Sequence, residues 1–462
     1  MKKRYFLASL SGLSLFISFA PLNVWPAAFV GMALLFKALS DQRFMARLFL
    51  TSCSGALLFF PILYWSGNYV GAVPWIALST LETTLFSLIS ILSYKRDFVS
   101  VVRFAALFSL IEIVRMKFPF GGFGWGRIGF TQIDSLGSFY PVIGITGITF
   151  LVALSGAFLT LFFIRSIVVV LSAIFLSQFL PHQTHETTPL TIDAVQGGVD
   201  QLGLDFNSRA LSVLSRHVSV TEQILHPAQL VIFPENASDI DPLKDQQAQS
   251  LIDSALTKTH RPILLGAVEE GERGPLNTSL LFDVNGNILS RYVKQDLTPF
   301  GEYIPLRTLA QSVSPAATRV TNFQPGTQWV LHHLDGQTFP SIICFELLDD
   351  DHLRKGMNGA TFAIAQTNNA TFGKSAQADQ QLQITQARAA EFGREFAVVS
   401  TTGWTAQIDS YGRVVKRLER FTPGYLSMSV MGMNGETSAS RSSSRIWAIF
   451  FVALMLVRRR SI

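Results

Sequence analysis

The chain has 462 residues, 48% of them apolar and 15% charged, with 38 Phe and a formal net charge of +5. Length allows two or three domains, and two cysteines, Cys53 and Cys344, exclude both a disulfide framework and a cysteine-built metal site. The apolar residues crowd into the first 181 positions and the last few. One soluble core does not distribute them that way.

Met1-Lys2-Lys3-Arg4 followed by apolar residues to Ala20 has the look of a signal peptide, but further hydrophobic runs follow at once and argue against cleavage. Charge-poor runs of membrane-spanning length fall at 4–20, 22–39, 44–66, 72–94, 99–116, 139–164 and 166–181. The fifth contains Arg103 and Glu112, and the seventh is short. With a cytoplasmic N-terminus, the inside loops carry Lys37, Arg43, Arg47, Lys95, Arg96, Arg103 and Arg165. The outside turns Pro21-Leu22-Asn23 and Gly67-Asn68-Tyr69 carry no Lys or Arg, which is the positive-inside asymmetry. The basic residues therefore read as topology signals, with no nucleic-acid partner implied. Arg115, Lys117 and Arg127 break the pattern in one outside loop. That loop, Phe118-Pro119-Phe120-Gly121-Gly122-Phe123-Gly124-Trp125, fits a segment at the membrane interface near the site and an ordinary aromatic belt equally well.

An odd span count puts the next region on the outer face. Residues 182–431 alternate short β-rich apolar runs with polar helical ones. Strands are expected at 190–195, 230–233, 262–268, 278–282, 339–344 and 361–365, and helices at 207–225, 246–259 and 376–393. The alternation predicts an α/β layered domain of about 250 residues. Composition makes 432–445 a flexible linker. The apolar run Ile446–Val457 is short for a span unless it extends back to Ser443, and Arg458-Arg459-Arg460 follows it. The expected whole is a polytopic α-helical membrane domain of about eight spans, with both termini cytoplasmic and an extracytoplasmic α/β domain.

Three strand ends carry chemistry. Leu230-Val231-Ile232-Phe233 runs into Pro234 and Glu235; Tyr292-Val293 runs into Lys294, with Pro299-Phe300-Gly301-Glu302 just beyond; Ser341-Ile342-Ile343 delivers Cys344, followed by Phe345 and Glu346. A carboxylate can take a thiol's proton, and an ammonium can favour the thiolate and then an oxyanion. Taken alone, Cys344 reads first as a structural core cysteine, Glu235 as a helix-start acid and Lys294 as a surface charge.

Taken together, the order Pro-Glu, Lys before Pro-Phe-Gly-Glu, and Cys-aromatic-Glu resembles the carbon–nitrogen hydrolase (nitrilase) superfamily. With the hydrophobic N-terminal block it is similar to the apolipoprotein N-acyltransferase family. Gln196-Gly197, Gln366-Thr367-Asn368-Asn369-Ala370-Thr371-Phe372-Gly373, the helix with Gln380-Gln381, Arg388-Ala389, Glu391 and Gly393-Arg394, and Asp409-Ser410-Tyr411-Gly412-Arg413 carry the same resemblance. It implies a nitrilase-like α-β-β-α sandwich and a thioester mechanism; no metal or nucleotide motif is visible in the sequence, so no cofactor is expected. Glu235 would be general base, Cys344 nucleophile, and Lys294 with the Phe345 N–H the oxyanion site. Glu302 and Glu346 would orient Lys294 and Cys344. The implied donor is a membrane phospholipid and the implied acceptor a diacylglyceryl-modified apolipoprotein. The alternative is a membrane-anchored amidase using the same residues with water. Many members have Tyr after the cysteine, an acid and a Trp where Asn369 and Thr371 stand, and a Trp near Leu204–Phe206; the variant pattern resembles the actinobacterial branch.

Overall fold

A computed structural model describes residues 2–69, 71–177, 179–180, 183–199, 202, 211–313, 318 and 320–457. Leu204–Phe206, the start of the expected 207–225 helix and Arg458-Arg459-Arg460 lie outside the described residues. The chain forms two compact units. One holds residues up to Gly67, Gly71–Gln183 and the segment from Thr437 onward; the other holds Thr184–Glu436 with Asn68 and Tyr69.

The first unit is helical: α1 (Lys2–Ile17), α2 (Pro26–Leu39), α3 (Phe44–Ile62), α4 (Ala72–Ser87), α5 (Phe98–Lys117), the single turn α6 (Ile133–Leu136), α7 (Tyr140–Phe158) and α8 (Phe163–Ser177). Helix α2 starts later than its apolar run because Pro26 occupies the first turn, where a missing N–H is harmless. Among the described residues, three helical segments, Phe44–Ile62, Ala72–Ile91 and Ile128–Phe158, are long and apolar enough to cross a membrane. A C-terminal helix, Ser444–Met455, starts on a Ser443 cap whose side chain accepts from the Ile446 N–H, and it packs Phe451 against Ala106 and Ile113 of α5. The expected linker at 432–445 is partly ordered instead. Its first residues finish a strand that pairs Asn434 with His185, and its last begins the C-terminal helix.

Two of the three charges that broke the topology pattern, Arg115 and Arg127, are inside the helical unit, while Lys117 is exposed. Arg115 donates to Glu82 and, at 2.7 Å, to the Trp125 carbonyl. Arg127 donates to Thr146 Oγ1 at 2.7 Å and lies 3.8 Å from Glu112. Glu112 accepts from the Ile128 N–H at 2.8 Å and from Thr149 Oγ1 at 2.6 Å. All four side chains, Glu82, Glu112, Arg115 and Arg127, are buried. Paired charges in an apolar unit do not report sidedness as loop lysines do, so the exception has a structural cause. The aromatic loop is divided. Trp125 is buried against Trp65, while Phe118 and Phe120 are exposed.

The second unit has two six-stranded sheets. The first runs, in spatial order, β12 (Gly424–Asn434), β1 (His185–Gln196), β2 (Leu230–Ile232), β3 (Ile263–Gly271), β4 (Gly274–Phe282) and β5 (Ile288–Val293). The second runs β11 (Val414–Arg417), β10 (Ala406–Ile408), β9 (Phe396–Ser400), β8 (Ala363–Thr367), β7 (Gln337–Ile343) and β6 (Leu331–Leu334). The central strands β1–β2–β3 and β7–β8–β9 are parallel, and the residues through which they pair are buried, as in strands covered on both faces. Ile192, Ile232 and Leu264 of one sheet share a core with Phe339, Ile364 and Val399 of the other. Helices α9 (Ser212–Thr221) and α10 (Gln246–Thr259) pack Leu214, Val218 and Ile252 on the outer face of the first sheet. After α11 (Arg307–Val313) and α12 (Asp350–Gly356), α13 (Gln377–Phe392) lies on the second sheet against β10. The order of layers is helix, sheet, sheet, helix.

Removing one partner of a buried ion pair strands the other charge and costs about 3 kcal/mol or more, whereas replacing both with apolar groups is close to neutral. Glu82→Gln should therefore lower the thermal midpoint in detergent clearly, and Glu82→Leu with Arg115→Met should recover most of the loss. A double variant as unstable as the single would show that the pair is not the reason.

Candidate active site

Parallel strands expose their carboxyl ends together, where α/β sheets hold ligands. Strand β2 leads into Glu235, β7 into Cys344, β8 into Asn368 and Asn369, and β5 into Lys294. The Glu235 turn fits because β3 carries Gly266 beside it; a Cβ there would lie 2.1 Å from the Pro234 carbonyl. Gln366 of β8 donates to the Phe233 carbonyl at 2.7 Å, tying the Glu235 segment to the second sheet.

Lys294 is buried between two carboxylates. Its ammonium lies 2.8 Å from Glu302 Oε2 and 3.2 Å from Glu235 Oε1. Asn277 of β4 donates through Nδ2 to both acids, at 2.9 Å to Glu235 and 2.7 Å to Glu302. The other Glu235 oxygen accepts from the Asn368 N–H at 2.8 Å. Glu302 also accepts from the Thr298 N–H at 2.7 Å, which closes the Pro299–Tyr303 loop on itself. Burial would strip the lysine's proton, but Glu235 and Glu302 outweigh it and hold the ammonium above its ordinary range. Burial pushes the Glu235 carboxyl up; Lys294 opposes this and Glu302 adds to it.

Cys344 stands where β7 turns into a 3-10 turn, Cys344–Leu348, with φ at +49°. A non-glycine residue in this region is strained unless its surroundings hold it, and such residues gather at functional sites. The holder is Glu346, fully buried. Its carboxylate accepts from the Ile343 N–H at 2.8 Å, the Tyr292 hydroxyl at 2.6 Å and the Gln295 N–H at 2.9 Å, with His352 Nε2 at 3.3 Å. Burial alone would raise its pKa, but these partners, His352 first, keep it below the usual carboxylate range. Phe345, next in the turn, is half-buried. The thiol is pushed upward by burial and then by Glu235, while Lys294 and a hydrogen bond from Gln381 pull it down. Glu235, Lys294 and Cys344 thus act on one another, and Glu302 and Glu346 brace the pieces. Among the described residues no group of three or more His, Cys, Asp or Glu is arranged around a metal.

The sequence matches two family models. Residues 11–158 match the apolipoprotein N-acyltransferase N-terminal domain and residues 194–432 match carbon–nitrogen hydrolase. An apolipoprotein N-acyltransferase of Mycolicibacterium smegmatis is 31% identical, the match covering 96% of this chain and 82% of that one. The chain belongs to the apolipoprotein N-acyltransferase family. The family member from Haemophilus influenzae is 26% identical over 98% of this chain and 94% of its own. A solved CN-hydrolase superfamily protein of Xanthomonas campestris is 17% identical, with a TM-score of 0.40 over 60% of this chain and all of that one.

Sequence reasoning about this family member missed Asn277, which bridges both acids, and the Tyr292–Glu346–His352 cluster. Asn277 lies one residue before the expected 278–282 strand and carries no motif. Glu346 was singled out, but partners 54 and 6 residues away belong to the fold, not to spacing.

The signs of the electrostatic effects give a direct check. Lys294→Met should raise the pH at which Cys344 is alkylated by iodoacetamide, and Glu235→Gln should lower it, each by about one unit. Peptide mass spectrometry across a pH series reads both. Shifts of the same sign in the two variants would contradict the arrangement.

Proposed function

We propose that this chain is an N-acyltransferase that moves an acyl chain from a membrane phospholipid to the α-amine of a diacylglyceryl-cysteine at the N-terminus of lipoproteins. The observation that carries the reading is the Glu235–Lys294–Glu302 cluster acting on Cys344, in a chain matched end to end by N-acyltransferases.

The chemistry has two halves. The resting thiol is held protonated, so attack needs a base, and Glu235, itself raised, is suited to take the proton as sulfur bonds to the sn-1 ester carbonyl. Lys294, with the Phe345 N–H, stabilises the oxyanion. Collapse breaks the ester C–O bond, and the departing alkoxide takes the proton from Glu235, leaving lysophospholipid and an S-acyl Cys344. The acceptor amine then attacks the thioester and gives its proton to Glu235. The C–S bond breaks with its electron pair on sulfur, and that proton returns to the thiolate. Glu302 keeps Lys294 in place, and Glu346 keeps the Cys344 turn.

The same reading assigns residues 1–181 to a membrane domain of seven spans, 182–431 to the catalytic domain, 432–445 to a connector and 446–462 to an eighth span with a basic cytoplasmic tail. Catalysis then lies on the outer face of the cell membrane, where both lipid-anchored substrates are found. The family match over 11–158 favours this over a membrane-anchored amidase, whose soluble substrate needs no such block.

Cys344→Ser should fold normally yet lose at least about three orders of magnitude in N-acylation of a diacylglyceryl peptide, the scale seen when a nucleophile is removed. Wild-type-like transfer by that variant would refute the mechanism. Ammonia release from simple amides by the wild type, without peptide acylation, would favour the amidase.

A further inference from the structure

Besides the charged groups Glu235, Glu302 and Lys294, the Cys344 sulfur meets a neutral one. Gln381 of α13 reaches it with Nε2 at 3.4 Å. A carboxamide offers a donor at one end and an acceptor at the other, and the end that faces sulfur decides whether a thiolate is stabilised or repelled. Neighbouring bonds fix the choice. The Gly403 N–H can only donate, and it donates to Ser400 Oγ at 2.9 Å. The Ser400 hydroxyl hydrogen is then directed to Asn369 Oδ1, at 2.6 Å, and Thr367 Oγ1 reaches the same oxygen at 3.2 Å. That leaves Asn369 Nδ2 as a donor, and it gives to Gln381 Oε1 at 2.7 Å and to Gln377 Oε1 at 2.6 Å. With its oxygen engaged, Gln381 turns its N–H end to sulfur.

Every side chain in this relay is buried: Thr367, Asn369, Gln377, Gln381 and Ser400. It is also close-packed, since a Cβ on Gly403 would lie 2.1 Å from Asn369 Oδ1. Backbone hydrogen bonds between parallel strands hold Thr367 of β8 opposite Ser400 of β9. The relay is thus anchored on the sheet, and Gln381 on a helix.

We propose that Gln381 is a further catalytic residue, an amide donor to the Cys344 sulfur, and that Asn369 is the positioning residue that keeps its donor end forward. This rests on Cys344 being the nucleophile. The sulfur is an anion twice in the cycle, when the thiol gives up its proton and when the thioester C–S bond breaks. A neutral amide N–H favours both moments and does not itself ionise. The relay also gives a reason for an amide at position 369. With glutamine as its partner, as in this chain, a carboxylate at 369 would accept on both oxygens, turn Gln381 to donate to it, and aim the Gln381 carbonyl at sulfur.

The test uses the full chain in detergent, with the pH midpoint of Cys344 alkylation by iodoacetamide read by peptide mass spectrometry and N-acyl transfer measured beside it. Gln381→Leu and Asn369→Asp should each raise the midpoint by about one unit, a tenfold loss of thiolate at fixed pH, and slow transfer about tenfold or more. Asn369→Asp does this without touching sulfur. Ser400→Ala, a smaller change suited to the case where either variant fails to fold, should shift the midpoint the same way by less. Wild-type midpoints in the folded variants would overturn the inference while leaving Cys344 as nucleophile. Full transfer by Cys344→Ser would instead overturn the function on which it rests.

Discussion

A buried ammonium between two carboxylates is the constraint on which the site depends. Lys294 is driven toward neutrality by its burial and kept charged by Glu235 and Glu302. Such a cluster is expensive to assemble and persists only when every partner is placed. Asn277 supplies the bond that holds both acids at the right distance, the Asn368 N–H orients Glu235, and the Thr298 N–H orients Glu302. Burial, with the second acid Glu302 adding to it, leaves Glu235 with a raised affinity for protons despite Lys294, which suits it to the proposed role of base toward a reluctant thiol.

Two sheets meeting face to face make this possible. Glu235, Asn277 and Lys294 come from the first sheet; Cys344, Asn369 and Ser400 come from the second. Ser279 and Ser341 hydrogen-bond across the sandwich at 2.8 Å. Cys344 sits on a strained turn held by Glu346, and Glu235 sits on a turn that requires Gly266. Rigid backbone, not side-chain reach, sets the geometry, as preorganised catalysis demands.

Sequence revealed many of the elements and the residues that the fold gathers at the strand ends. The strand expected at 190–195 lies inside β1, the helix expected at 246–259 coincides with α10, and the one expected at 376–393 is α13 with a residue trimmed at each end. Strong local signals explain this: apolar runs, an Asp245 cap and a Gly393 stop. Strands β6 and β9 to β12 were not anticipated, and β5 only through its end at Tyr292-Val293. Several are short or half-exposed, and their stability comes from neighbours distant in sequence, as in β12, whose partner β1 begins at His185. The same reason hid Asn277 and the Ser400–Asn369–Gln381 relay. Arg115 and Arg127 looked like misplaced loop charges because a hydropathy pattern cannot show that Glu82 and Glu112 reach them.

Formation of an acyl thioester at Cys344 is the central claim, and it is directly observable. The purified protein incubated with one defined phospholipid, without acceptor, should yield a Cys344 peptide heavier by the sn-1 acyl chain, and hydroxylamine should remove that mass. Intact, folded protein that transfers acyl groups to a diacylglyceryl peptide but never carries an adduct at Cys344 would contradict the account.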